Sequence, residues 1–401
     1  MSLYLQFKNC FIDELNQFKS QIEELKNIEI PSFANQKPYE DEDIKKCEKL
    51  NEFDNVLLIG NGGSVNGAKA FYGSLSSKKN FEFITTMEPD YLNEVSKRFP
   101  KENTLVLAVS KSGTTVGVLE ALMYFVNRDY RIAVITSQQG TLYEIAKRKE
   151  WEVLEHPPVG GRFAAGTICG LAPAFLMGAD INQLERGFTT AFEKYSPEKG
   201  FNDNLAMYLA SVLYLLEQKG KHDVFVPVYS TQVSAFLPLI IQLMHESFGK
   251  KDIGQSFFGD LAPESQHHTN QRFFGGRKNI CSLFMHVLNQ HNSFDKINVP
   301  QDLKDVPFKG TTLDILDGIP YEKSLDFEYS GTFEDAVNKK FPVMDLSIDK
   351  VDEKSVGELM GFWQYVAVYS SVLRGVNPYD QPQVEDSKKI SFAKRKEYKS
   401  Q

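Results

Sequence analysis

Over residues 55 to 156, short apolar runs alternate with segments of helical period. The runs are NVLLIG (55–60), FEFIT (81–85), TLVLAVS (104–110), RIAVITS (131–137) and WEVLEH (151–156). Near-continuous apolar runs of that length suit parallel strands covered on both faces. Between them SVNGAKAFYGSL, TTVGVLEALMYFVNRD and LYEIAKRKE carry the helical spacing of apolar residues. Strand and helix in alternation predict a doubly wound parallel sheet, with its ligand outside the carboxyl ends of the strands.

The second half follows the same plan. NLAMYLASVLYLLEQKG (204–220) predicts a helix ended by Gly220, HDVFVPVYS (222–230) a strand, and TQVSAFLPLIIQLMHESFGK a further helix. NICSLFMHV (279–287) and FPVMDLSI (341–348) predict more strands, and VGELMGFWQYVAVYSSVLRG (356–375) a long apolar helix capped by Gly375. The expected α/β architecture is two doubly wound, flavodoxin-like domains over 51–190 and 191–350. A helical N-terminal extension over 1–50 and a C-terminal helical arm over 351–401 flank them.

Two turns carry candidate chemistry. In LLIGNGGSVNGAKAF, strand passes to helix through Gly60, Gly62, Gly63 and Ser64. Glycines allow close backbone approach, the helix N-terminus adds partial positive charge, and Ser64 adds a hydroxyl: a setting for a phosphate or other anion. The spacing is neither a dinucleotide fingerprint nor a P-loop. The bland alternative is a tight βα turn. In AVSKSGTTVGV, Ser110, Ser112, Thr114 and Thr115 stand beside Lys111, again between strand and helix. One N-cap needs one hydroxyl, and four exceed that need. Two such turns on one sheet edge can converge on a phosphoryl dianion without a metal.

Composition narrows the field. The chain has 401 residues, 42% of them hydrophobic and 24% charged, ample for two cored domains. A net charge of −8 gives no basic footprint for nucleic acid. No apolar run is long enough to span a membrane. The opening MSLYLQFKNC lacks a signal-peptide pattern, and Cys10, Cys47, Cys169 and Cys281 are scattered. A cytoplasmic protein without a metal or other cofactor is expected.

Further segments complete a pattern. VGGRFAAG (159–166) carries Arg162 in a glycine-rich loop, and QLMHESFGK (242–250) places Gln242 and Glu246 on one helical face. SQHHTNQRFFGG carries His267 and, four on, Gln271, while GVNPYDQPQVEDSKK carries Gln381, Glu385 and Lys388. GNGGS followed by SKSGTT resembles the SIS domain, the phosphosugar-gripping sugar-isomerase fold. The six segments, in order, resemble the phosphoglucose isomerase family from residue 60 to 388. Two departures stand out: Ala164 replaces the family's serine after the GGR-aromatic, and Val116-Gly117-Val118 follows the threonines.

The resemblance implies two SIS domains and aldose–ketose isomerisation of glucose 6-phosphate and fructose 6-phosphate, a step of glycolysis and gluconeogenesis. By it, Glu246 moves the proton and Arg162 stabilises the enediolate. His267 and Lys388 open the ring, and Glu385 orients His267. Gly62, Gly63, Ser64, Ser110, Lys111, Ser112, Thr115, Gln242 and Gln381 bind the phosphosugar. The family is dimeric, so a homodimer is expected, its histidine supplied by the neighbouring subunit. His268 is the alternative to His267, which the His-x3-Gln spacing favours. His245 should point off the catalytic face, and Asn377 and Asp380 should shape the turn at Pro378. Other readings are a bifunctional phosphoglucose/phosphomannose isomerase, a phosphoheptose isomerase, or a non-enzymatic phosphosugar sensor.

Overall fold

The computed structural model describes residues 3–290 and 295–400. The chain opens on a strand, β1 (Leu3–Lys8). There follow β2 (Asn55–Ile59), β3 (Asn80–Ile84), β4 (Thr104–Val109), β5 (Arg131–Thr136) and β6 (Glu152–Glu155). The second half holds β7 (Asp223–Tyr229), β8 (Ser256–Leu261), β9 (Ile280–Val287), a minimal hairpin of β10 (Pro307–Phe308) and β11 (Thr311–Thr312), and β12 (Val343–Ile348).

The first sheet runs β3-β2-β4-β5-β6, all parallel. Its strand order reverses between β2 and β4, so the turns after those strands flank the crevice where a doubly wound sheet binds ligand. The second sheet runs β1-β12-β9-β7-β8, parallel apart from β1. Strand alternation sorts the core into layers. Val56 and Leu58 of the first sheet share one cluster with Val224 and Val226 of the second. Leu57 and Ile59 face a cluster beyond the first sheet, and Phe225 and Tyr229 one beyond the second. The order is therefore helix, sheet, helix, sheet, helix.

Three expectations need correction. The preface over 1–50 is not wholly helical, because β1 pairs antiparallel with β12 from Leu3↔Ile348 to Lys8↔Val343. Leu3, Leu5 and Phe7 alternate with polar residues and turn to the central core, the signature of a half-buried edge strand. The segment 351–401 is not one arm. Helix Glu353–Leu373 runs buried through the central layer, with Trp363 fully enclosed, and Asp352 caps it. Only helix Glu385–Ser400 lies outside, with no buried residue. Finally, the helix expected over 231–250 is split into Thr231–Ser234 and Leu237–Phe248. Pro238 lies in the first turn of the second piece, and without an N–H it cannot donate to the Ser234 carbonyl, so the hydrogen-bond ladder breaks there. Among the described residues, no helix is long and apolar enough to cross a membrane.

Candidate active site

After β2 the chain turns at Gly62, whose φ of 56° with ψ of −125° only glycine adopts without strain. Helix Gly63–Ser74 starts at once. A Cβ on Gly63 would lie 2.2 Å from the Gly161 carbonyl carbon and 2.3 Å from the Arg162 nitrogen. This glycine thus lets the turn abut the GGR loop, backbone against backbone. A Cβ on Gly62 would lie 2.9 Å from Gln242 Nε2. Ser64 is half-buried beside both.

After β4, Ser110 is buried and its hydroxyl lies 2.9 Å from that of Thr115. Thr115 occupies the N-cap position of helix Val116–Val126, yet its side chain makes no cap bond. Helix capping therefore does not account for these hydroxyls. The contrast is Ser230 after β7, which does cap its helix by accepting from Val233 N. Thr114 Oγ1 donates to Ser112 Oγ at 3.1 Å, and both residues are exposed with Lys111 at the sheet edge.

Glu246 sits in the last turn of helix Leu237–Phe248, half-buried. Its Oε2 accepts from Arg162 Nη1 at 3.0 Å and its Oε1 from Gln242 Nε2 at 3.0 Å. Asn66 Nδ2, on the helix that leaves the glycine turn, donates to Gln242 Oε1 at 2.8 Å. A hydrogen-bond chain thus runs from the first sheet's turn to a carboxylate on the second sheet's helix. His245 points away, its Nε2 accepting from Phe257 N on β8 at 2.8 Å.

Arg162 is 4% exposed, and all five guanidinium N–H groups are used. Nε donates to Ser247 Oγ at 3.1 Å, and Nη1 to Glu246 and, at 2.9 Å, to Gln381 Oε1. Nη2 donates to the carbonyls of Pro378 and, at 3.1 Å, of Asp380. Burial pushes the guanidinium below its ordinary value while Glu246 pulls it back up. Arginine stays charged regardless. The 377–381 turn that receives Arg162 is held from below by buried Lys250, which donates to Asn377 O, to Asp380 O at 2.7 Å and to Asp380 Oδ1 at 2.6 Å. That ion pair holds the Asp380 carboxyl below its usual value. Asn377 Oδ1 accepts from Tyr379 N, closing the turn at Pro378. Asn66, Ser247 and Lys250 were not singled out from the sequence. The last two lie inside the quoted ESFGK segment, next to Glu246 and four beyond it.

A cavity of about 700 Å³ opens between the serine turn and the C-terminal helix. Ser112, Thr115, Gln381, Glu385 and Lys388 line it, with Arg395. Gln381 joins this cavity to Arg162 and so to Glu246. One expected catalytic residue, His267, does not join. His267 is exposed at the end of the short helix Glu264–His267 and does not line this cavity. Glu385 accepts from Lys388 at 2.7 Å within one chain, so it does not orient His267 there. His268 is bound to Glu264 at 2.8 Å and to Thr269 at 2.6 Å.

A doubly wound sheet with glycine and hydroxyl turns at its switch point, beside a carboxylate–arginine pair, defines the class: the SIS-fold phosphosugar isomerases. A solved structure of a hypothetical protein from Thermus thermophilus shares the fold, with a TM-score of 0.82 at 24% identity over 98% of this chain and 99% of that one. A glucose-6-phosphate isomerase from Chlamydia trachomatis gives 0.74 at 20% identity over 95% and 84%. The chain belongs to the phosphoglucose isomerase family, whose sequence model matches residues 43–401. Among curated relatives, the glucose-6-phosphate isomerase of Methanocaldococcus jannaschii is 26% identical over 363 residues, covering 88% of this chain and 87% of the relative.

Proposed function

We propose that this chain is a glucose-6-phosphate isomerase, interconverting glucose 6-phosphate and fructose 6-phosphate through a cis-enediolate. The observation that carries the reading is the Glu246 carboxylate, held by Arg162 and Gln242 beside the glycine turn. Phosphate binds at Ser64, Ser110, Lys111, Ser112 and Thr115, with the amides of Gly62 and Gly63. Glu246 takes the proton from C2 and returns it to C1. As Glu246 becomes neutral, negative charge appears on the substrate oxygens. The Nη1 donor that faced the carboxylate can then turn to the enediolate, so Arg162 binds the transition state better than the resting site. Lys388, facing the cavity, and His267 open the ring.

His267 serves the site of a second subunit in a homodimer, a reading supported by its exposure and its position outside this cavity. The enzyme works in the cytoplasm, in glycolysis and gluconeogenesis.

The test is Glu246→Gln, assayed on fructose 6-phosphate with a coupled dehydrogenase. Turnover should fall by about 10³–10⁴-fold or more, with product still bound. Mixing that protein with His267→Ala protein, after exchange of subunits, should restore part of the activity. A Glu246→Gln protein within about tenfold of the parent sinks the mechanism. Mixtures that stay dead, with exchange demonstrated, sink the shared site.

A further inference from the structure

We propose that Arg395 is a positioning residue for Lys388, acting through its ion pair with Glu120. This inference rests on the assignment of Lys388 to ring opening. Helix Glu385–Ser400 buries none of its residues, so core packing does not fix where its side chains point. Its other ion pairs, Lys388–Glu385 and Lys389–Asp386, lie within the helix and tie it to nothing else. Arg395 is different. Its Nε donates to Glu120 Oε1 at 2.5 Å and its Nη2 to Glu120 Oε2 at 2.7 Å, a two-pronged pair. Among the described residues, this pair is the hydrogen-bonded link between that helix and the body of the protein.

The link runs to the right place. Glu120 lies on helix Val116–Val126, which begins where the serine turn ends at Thr115. Lys388, Ser391 and Arg395 fall at i, i+3 and i+7, one helical face, and all three line the cavity. Arg395 Nη1 also donates to Ser391 Oγ at 2.6 Å, which fixes the guanidinium against its own helix. The pair thus joins the helix bearing Lys388 to the element that bears the phosphate turn. The ammonium is thereby held at a set height above the bound sugar.

The experiment measures kcat and KM on fructose 6-phosphate for Arg395→Ala, Glu120→Gln and the double charge swap Glu120→Arg/Arg395→Glu, with Lys388→Ala in parallel. It also measures deuterium exchange at C1 of 5-deoxyfructose 6-phosphate, which cannot close to a furanose. Each single variant should lose about twofold to fivefold in kcat with KM within about twofold, the upper range of a well-aligned exposed pair. Exchange in the open-chain analogue should be unchanged, and the charge swap should recover much of the lost kcat. A rise in KM with kcat retained would overturn the proposal, because Arg395 would then be a phosphate ligand. So would normal kcat in Arg395→Ala while Lys388→Ala is crippled, an outcome that leaves the reading of Lys388 intact. If Lys388→Ala itself turns over the cyclic sugar normally, that reading fails, and the positioning role with it.

Discussion

Replacing Arg162 by lysine keeps the charge and removes the fork. The native guanidinium makes five hydrogen bonds, to Ser247, Glu246, Gln381, Pro378 and Asp380. An ammonium has three donors, so at least two of these acceptors lose their partner. The side chain is almost wholly buried, so water does not readily replace it. At about 1–2 kcal/mol for each buried bond lost, Arg162→Lys should cost about 2–4 kcal/mol of stability. The urea midpoint should fall with an unchanged slope, since the surface exposed on unfolding stays the same. The rate should suffer separately. A lysine drawn down to the Pro378 and Asp380 carbonyls offers no donor at the level of Glu246, and loss of one such donor typically costs about 10²–10³ in kcat. The assay is steady-state conversion of fructose 6-phosphate, with the denaturation midpoint measured on the same preparations. A lysine variant with the parent's midpoint would refute the claim that all five donors matter. One that loses stability yet keeps kcat within about threefold would confine Arg162 to holding the 377–381 turn.

Two further outcomes are expected. Thr115→Ala should raise KM by about tenfold or more, with a smaller fall in kcat, because a phosphate contact persists from ground state to transition state. Unchanged KM and unchanged inhibition by phosphorylated sugar acids would remove Thr115 from the site. The second concerns pH. His156 is buried, and burial holds its imidazole below the ordinary value, so the folded state keeps it neutral while the unfolded chain protonates. Stability should therefore decline as pH falls below about 6.5 and level off once the pH passes the lowered folded value. His156→Gln should flatten part of that decline, since burial also lowers His245. The same slope in variant and parent would contradict the assignment.

The first sheet was legible because its strands are buried on both faces and read as apolar runs. Asn55–Ile59 and Thr104–Val109 lie within the predicted segments. β8 was missed because SFFGDL is only partly buried and carries Gly259, which weakens any strand signal. Helix Tyr321–Asn338 was missed for a related reason. It covers the outer face of the second sheet with Tyr329 and Phe333, but buries only Thr332 and Ala336 fully. In the site, each motif could be read singly, because turn chemistry is local. The saturation of Arg162 could not, since its acceptors come from Glu246, Ser247 and the 378–381 stretch, far apart in sequence. Lys250 was hidden because a lysine ending a helix ordinarily reads as solvated, whereas here it is buried under the Pro378 turn.

The contact of Gly63 with Gly161 and Arg162 has a consequence for anyone reshaping this enzyme. The two loops touch through main chain, where no side-chain substitution can restore a lost fit. A different glycine turn, or a different arginine loop, transplanted alone would meet a surface shaped for its old companion. The glycine turn and the arginine loop must therefore be exchanged together. Substrate preference is open to adjustment at the cavity's side chains, such as Val116 and Ser387.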